Sequence, residues 1–158
     1  MLCELSDKFD CKFLIKDNNI VPTSKYDKFM FTNTQPTKDA YYTLFNKVDI
    51  CIDTFPYSGT TTTCDSLLMG TPVLTLDNNK CIHQHPSGSI LINSDLSTYI
   101  YQNFEDLLNK LQTFVQMIKD DHAYKENIRK KFLSGKVTNS KEYMEDYENL
   151  MFRIYKNI

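Results

Sequence analysis

Short apolar segments that alternate with helix-length segments constrain the fold of the first hundred residues. Four such segments are rich in apolar or β-branched residues and are bounded by Asn, Pro, Gly or Asp, a pattern typical of strands; they are residues 12–16, 29–32, 49–54 and 72–76. Helices are predicted between the second and third strands, over Lys38–Lys47, and between the third and fourth, over Thr61–Met69. Strands joined by helices imply right-handed crossovers and a parallel sheet.

From this order we predict an α/β fold, with a Rossmann-like, mostly parallel sheet and helices on both faces, over about residues 1–100. Beyond residue 100 the apolar periodicity becomes helical. One helix runs from Phe104 to Ile118 and a second over Asp121–Leu133, ending before Gly135. Three C-terminal helices are therefore predicted over about residues 101–158. Together with the α/β core they are predicted to form a single domain over residues 1–158.

The third C-terminal helix is predicted to start at Ser140, because Asn139 and Glu142 resemble a capping box. Apolar residues recur along it at helical spacing and form one stripe: Tyr143, Tyr147, Leu150, Met151 and Ile154. A stripe of this width is more often core than a surface for a partner helix. We therefore expect all three C-terminal helices to pack across the sheet.

Charge, hydropathy and cysteine content exclude several functional classes. Lys and Arg total 18 against 20 Asp and Glu, so no basic excess favours nucleic acid. Every apolar run is far shorter than the ~20 residues that span a bilayer, so no membrane association is expected. The five cysteines are odd in number and include no Cys-x-x-Cys pair, which fits reduced thiols. A cytoplasmic location is expected.

The most informative segment is Asp49–Pro72, which joins a buried strand, a turn and a threonine-rich helix start. In open parallel sheets, ligands bind beyond the carboxyl ends of the strands, and helix N-termini offer unpaired N–H groups to anions. The hydroxyls of Thr60–Thr63 add donors, which suits a diphosphate. The Asp65 carboxylate could accept hydrogen bonds from two ribose hydroxyls. The alternative from spacing alone is that Thr and Asp merely cap this helix.

This run, DICIDTFPYSGTTTTCDSLLMGTP, is similar to part of the C-terminal catalytic lobe of the O-GlcNAc transferase family, inverting glycosyltransferases of the GT-B architecture. The similarity covers about residues 29–157. Within it, residues 87–100 resemble the family's helix rich in glycine, serine and leucine, and residues 134–155 resemble its closing helical segment. The resemblance implies UDP-GlcNAc as the donor substrate, with fucose or another hexose as the alternative sugar. It also implies Ser or Thr of a protein as the acceptor, and no cofactor or metal.

The resemblance also implies roles for individual residues. Thr61 and Thr62 match the threonines whose helix start holds the UDP diphosphate, and Asp65 matches the carboxylate that binds the ribose hydroxyls. Thr60 replaces a histidine that is found in animal members. Lys38 matches a lysine that contacts the nucleotide.

In the loop before Lys38, Gln35 and Pro36 match residues whose backbone faces the uracil edge. Tyr41 occupies the position of a histidine that stacks on uracil, and an aromatic ring could keep that contact. The alternative for Tyr41 is ordinary core packing.

Departures from the family pattern bear on activity. Leu68 stands where the family usually has Trp, and residues 82–87 lack the usual arginine. The N-terminal lobe that carries the proposed catalytic histidine is absent from this sequence, as is a phosphate-binding lysine. We therefore expect the chain to be incomplete for catalysis alone and to need a lobe that is supplied in trans or encoded in an adjoining reading frame. The alternative is a non-catalytic remnant that binds a nucleotide weakly or acts as a protein-interaction module.

Two further groups of residues have side chains that could bind a metal or form hydrogen bonds with turns. Cys81, His83 and His85 form a Cys-x-His-x-His pattern that could bind zinc, and alternation would place all three on one face of a strand. Against a metal site, the segment aligns with a loop and helix of the resembled family. Asp49 and Asp53 are predicted to be strand-end residues that hydrogen-bond nearby turns.

Overall fold

The computed structural model describes residues 2–16, 28–78, 81–121 and 123–156. These residues form strands β1 (Phe13–Lys16), β2 (Phe29–Thr32), β3 (Cys51–Ile52), β4 (Val73–Leu76) and β5 (Ile100–Tyr101). The helices are α1 (Leu2–Phe9), α2 (Lys38–Phe45), α3 (Thr61–Leu68), α4 (His85–Ile92), α5 (Phe104–Asp120), α6 (Tyr124–Ser134) and α7 (Ser140–Lys156). Short 3₁₀ turns cover Ile82–Gln84, Ser97–Tyr99 and Lys136–Thr138.

All strand pairs in the described residues are parallel, as predicted. β1 pairs with β2, with Lys16 opposite Thr32 at their carboxyl ends. β4 lies between β3 and β5 in the second set of strands. The mixed α/β fold is therefore confirmed, with the strands in two hydrogen-bonded sets.

Alternate residues of β4 show that helices cover both faces of the second set. Val73 and Leu74 point to opposite faces because successive side chains of a strand alternate. Val73 lies in a core cluster completed mainly by α3, α4 and α6, namely Leu67, Ile90, Leu91, Leu96, Ile128 and Phe132. Leu74 lies in a second cluster with residues of α1, β5 and α5, namely Leu5, Tyr101, Leu107 and Leu111.

Several element boundaries differ from the sequence prediction. β3 is shorter than residues 49–54. The helix expected within residues 87–100 runs instead over His85–Ile92, and the chain then turns into β5. α6 starts after Asp121, because the Asp121 carboxylate accepts a hydrogen bond from the Ala123 N–H at 2.8 Å and forms a turn there. Helix α1 and strand β5 were not predicted.

The prediction that all three C-terminal helices bury their apolar faces is wrong for α7. The predicted apolar stripe of this helix is called the α7 stripe and consists of Tyr143, Tyr147, Leu150, Met151 and Ile154. All five residues are exposed, with Tyr143 66% and Leu150 53% accessible. The start of the helix is as predicted, since the Glu142 N–H donates to Asn139 Oδ1 at 3.2 Å and Asn139 Nδ2 donates to Glu142 Oε2 at 2.9 Å. α7 packs chiefly against the adjacent Lys136–Thr138 turn, and none of the five described strands covers its stripe.

Across the described ranges, no helix combines the length and the apolar content that crossing a bilayer requires.

Candidate functional site

The loop that leads from β3 into α3 is held to the sheet by Asp53. Asp53 Oδ1 accepts hydrogen bonds from the N–H groups of Thr54 and Gly59, both at 2.9 Å. Its Oδ2 accepts a hydrogen bond from Thr75 Oγ1 on β4 at 2.7 Å. The strand-end role predicted for Asp53 is confirmed. Asp49 differs, because its partner is the Tyr124 hydroxyl at 3.4 Å on α6, far away in sequence.

Gly59 allows this loop to lie directly against the first turn of α3. A Cβ atom at Gly59 would stand 2.5 Å from Thr62 Oγ1 and 2.9 Å from Thr63 Oγ1. Any other residue would push these hydroxyls or the loop away. The glycine therefore fixes the distance between the loop and the helix start.

The first turn of α3 is open to solvent. Thr60, Thr61 and Thr62 are exposed, and the N-cap residue Thr60 makes no side-chain capping hydrogen bond. The first N–H groups of a helix have no acceptor within the helix. Only Thr63 turns inward, where it is 2% exposed and shares a 2.8 Å hydrogen bond with Ser87 Oγ. Thr60 therefore does not cap α3 through its hydroxyl. A helix start of this kind can bind an anion.

Asp65 lies one turn after Thr61, half-buried, with its carboxylate beside two tyrosines of α2. Tyr42 Oη donates a hydrogen bond to Asp65 Oδ1 at 3.1 Å. That hydrogen bond, followed by the charge of Asp65, raises the pKa of Tyr42. Burial first, and the Asp65 charge second, raises the pKa of Tyr41 to about 12. Both tyrosines are thus neutral at physiological pH.

Helix α2 presents its predicted site residues on one side. It begins at Lys38, which is exposed, as is Pro36 two residues earlier. Thr37 caps the helix by accepting the Ala40 N–H at 3.2 Å. Residues three and four positions apart on a helix are neighbours, so Lys38 shares a face with Tyr41 and Tyr42. Since Tyr42 contacts Asp65, this face adjoins α3.

Tyr42 and Lys16 lie beside Asp65 and Tyr41, a position that was not predicted for either residue from the sequence. Helical spacing could have indicated Tyr42, since it follows Lys38 by four residues. Lys16 ends β1 opposite Thr32 at the end of β2, and the carboxyl ends of parallel strands share one edge of a sheet. That rule could have indicated Lys16.

The Tyr41 ring has neighbours within the protein. Lys16 Nζ lies 5.5 Å from its centroid, and the Phe45 ring meets it edge-on at 5.3 Å. The ring is half-buried. Stacking of Tyr41 on a base therefore stays a prediction beside the packing role that the structure describes.

The segment with Cys81, His83 and His85 is a 3₁₀ turn followed by the start of α4, so the strand interpretation of its alternation is wrong. His85 Nδ1 contacts Asp77 Oδ1 at 2.9 Å. Within the part of the chain that the structure describes, no three metal-binding side chains come together.

The same segment is fastened to the loop before α3. The Ser58 N–H and Oγ both donate to the His83 carbonyl, at 3.1 and 3.3 Å. Ser87 Oγ donates to the Gly59 carbonyl at 2.7 Å. The beginnings of α3 and α4 are thereby held side by side.

Comparison with known proteins finds relatives over part of the chain. No protein-family model matches the chain. Proteins described as probable UDP-N-acetylglucosamine–peptide N-acetylglucosaminyltransferase SPINDLY match part of it. The protein from Solanum lycopersicum is 36% identical over 77 residues, covering 48% of this chain and 8% of that protein. The one from Hordeum vulgare is 26% identical over 106 residues, covering 66% of this chain and 11% of that protein.

A solved structure of an O-GlcNAc transferase mutant from Thermobaculum terrenum has the same fold as the chain. It superposes with a TM-score of 0.72 at 21% identity, covering 83% of this chain and 25% of that one. The chain thus spans about a tenth of the curated relatives and a quarter of the solved structure.

The parallel strands, the helices on both faces and this superposition define the chain as a lobe of the GT-B type, the fold class predicted from the sequence. Over the matched part it is a homologue of the SPINDLY proteins, which are O-GlcNAc transferase-like. The resemblance stated from the Asp49–Pro72 run is confirmed.

Proposed function

We propose that the chain is the UDP-sugar-binding part of a protein O-GlcNAc transferase, which moves N-acetylglucosamine from UDP-GlcNAc to Ser or Thr of an acceptor protein. Catalysis would also require the second lobe of the GT-B architecture. One observation carries the proposal: the first turn of α3 is exposed and uncapped, and the half-buried Asp65 lies one turn further on. The names of the SPINDLY relatives support the choice of donor and acceptor.

Each site residue has a physical role in this proposal. The N–H groups and hydroxyls of Thr61 and Thr62 would bind the diphosphate, with Thr60 at the edge of the same turn. The positive end of the helix dipole would stabilise the charge that develops on the leaving diphosphate. Asp65 would accept hydrogen bonds from the ribose, and Lys38 would supply a counter-charge. Neither a metal nor a cofactor is part of the proposal.

The base would lie against α2 and the loop before it. Pro36 and its neighbour Gln35 would face the uracil edge. The loop conformation is held by hydrogen bonds from Gln35 Nε2 to Thr32 Oγ1 at 3.0 Å and to the Asn33 carbonyl at 2.9 Å. Tyr41 would provide the aromatic contact to the base.

Calorimetric titration with UDP tests the proposal. We expect micromolar affinity for the unmodified chain and loss of binding in Asp65→Ala, because the ribose hydroxyls lose their acceptor. Asp146→Ala, which removes an exposed carboxylate from α7, is the matched control and should leave the affinity unchanged. Absence of heat at millimolar UDP would contradict the proposal.

A second candidate function is favoured by the exposed α7 stripe. A non-catalytic remnant that acts as a protein-interaction module would need an accessible apolar face of this kind. This candidate predicts that titration with UDP produces no binding heat, either in the unmodified chain or in Asp65→Ala. The titration above separates the two functions.

A further inference from the structure

We infer that Tyr42 is a positioning residue: by holding the Asp65 carboxylate, it makes the site selective for nucleoside diphosphates with an intact ribose diol. The inference rests on the proposed function and extends it to a residue that the family resemblance does not supply. It starts from the 3.1 Å hydrogen bond from Tyr42 Oη to Asp65 Oδ1, which joins α2 to α3.

The bond restricts an otherwise adjustable side chain. An aspartate on a helix surface can rotate about its side-chain torsions among several rotamers. With Oδ1 tied to α2, the carboxylate plane has one favoured orientation. Because an ionised carboxylate offers about four acceptor sites, the bond to Tyr42 leaves capacity for two ribose hydroxyls. Tyr42 therefore orients Asp65 without blocking it.

Helix α2 is itself held firmly enough to act as a support. At its carboxyl end the Phe45 carbonyl accepts hydrogen bonds from Thr71 Oγ1 and Lys125 Nζ, both at 3.0 Å. Lys125 Nζ also donates to the Val48 carbonyl at 2.6 Å. These bonds connect α2 to the residues before β4 and to α6. The Tyr42 hydroxyl thus reaches Asp65 from a fixed element.

The donor role of Tyr42 is available at neutral pH. Its hydrogen bond to Asp65, followed by the charge of that carboxylate, raises the pKa of Tyr42. A hydrogen bond to a charged acceptor is about twice as strong as one between neutral groups. Removing the hydroxyl should therefore change the orientation of the Asp65 carboxylate and weaken the binding of a ribose diol to it.

The test compares UDP with 2′,3′-dideoxy-UDP by calorimetry in the unmodified chain and in Tyr42→Phe. We expect the unmodified chain to prefer UDP and Tyr42→Phe to reduce that preference about fivefold, because Asp65 is no longer oriented toward the diol. Tyr147→Phe removes the same hydroxyl from α7 and should leave the preference unchanged.

The outcomes are distinguishable. If Tyr42→Phe weakens the binding of both nucleotides equally, Tyr42 has a purely structural role and the inference is overturned. An unchanged preference for UDP overturns it as well. In both cases the proposed function stands. Lack of UDP binding by the unmodified chain overturns the proposed function and the inference with it. A ligand-free measurement adds to this: NMR of ring-labelled tyrosine should show a lower Tyr42 pKa in Asp65→Asn, and an unchanged pKa would overturn the inference.

Discussion

Helices α3 and α7 differ in what surrounds them. α3 buries its apolar residues, with Leu67 0% exposed, and leaves a polar first turn open. α7 is exposed along nearly its whole length, including the α7 stripe. α3 is enclosed by β4, α4 and α6, whereas α7 packs chiefly on the turn before it. Periodicity identifies the apolar face of a helix, but only a neighbouring element can bury that face.

The largest difference is expected for leucine truncation in the two helices. Leu67→Ala should lower the free energy of unfolding by about 2–5 kcal/mol, because it leaves a cavity in the core cluster around Val73. Leu150→Ala on α7 should cost less than about 1 kcal/mol, because the side chain is already half in water. Urea unfolding measures both. Equal costs would show that α7 is buried in solution.

The connection between Asp53 and β4 provides a second contrast. Thr75→Val keeps the shape of a fully buried side chain but removes the donor to Asp53 Oδ2. We expect a loss of about 1–3 kcal/mol in unfolding free energy, since a partly buried carboxylate loses a partner. Thr113→Val, at an exposed position of α5, is the matched control and should cost under about 0.5 kcal/mol. A cost for Thr75→Val no larger than that of the control would argue against the bracing role of Asp53.

At the start of α7 the cap is expected to matter locally. Asn139→Ala removes the acceptor for the Glu142 N–H and should cost about 1 kcal/mol of helix stability. Because α7 has few tertiary contacts, the loss should appear as faster hydrogen exchange in its first turn, with α3 unaffected. Faster exchange in α3 as well would show that the two helices unfold together.

The last effect depends on pH and concerns the titration of Tyr41. The pKa of Tyr41 rises from 10.0 to about 12 on folding. Between these values the native state holds a proton that the unfolded state has released, so stability is fully present below about pH 10 and is lost as pH rises toward 12. Chemical unfolding across this range should show a shallower decline in Tyr41→Phe. An identical slope would contradict the raised pKa.

Much of the fold and site could be predicted from the sequence. Val73–Leu76 and the start of α3 at Thr61 lie where turn residues and apolar spacing indicated. Strand β5 was missed because two residues, Ile100 and Tyr101, are too few to show a period. Tyr42 was missed because a tyrosine on a half-buried helix resembles ordinary packing until its partner across the fold is known.

The sequence alone determined the strand and helix order and the placement of Thr61, Thr62 and Asp65 along one helix, because these depend on local spacing. Only the tertiary structure decided that Thr60 leaves the turn uncapped, that Tyr42 reaches Asp65 and that the α7 stripe is exposed. These features depend on which distant segments meet, and nothing in the spacing of residues along one helix specifies the surface that will lie against it.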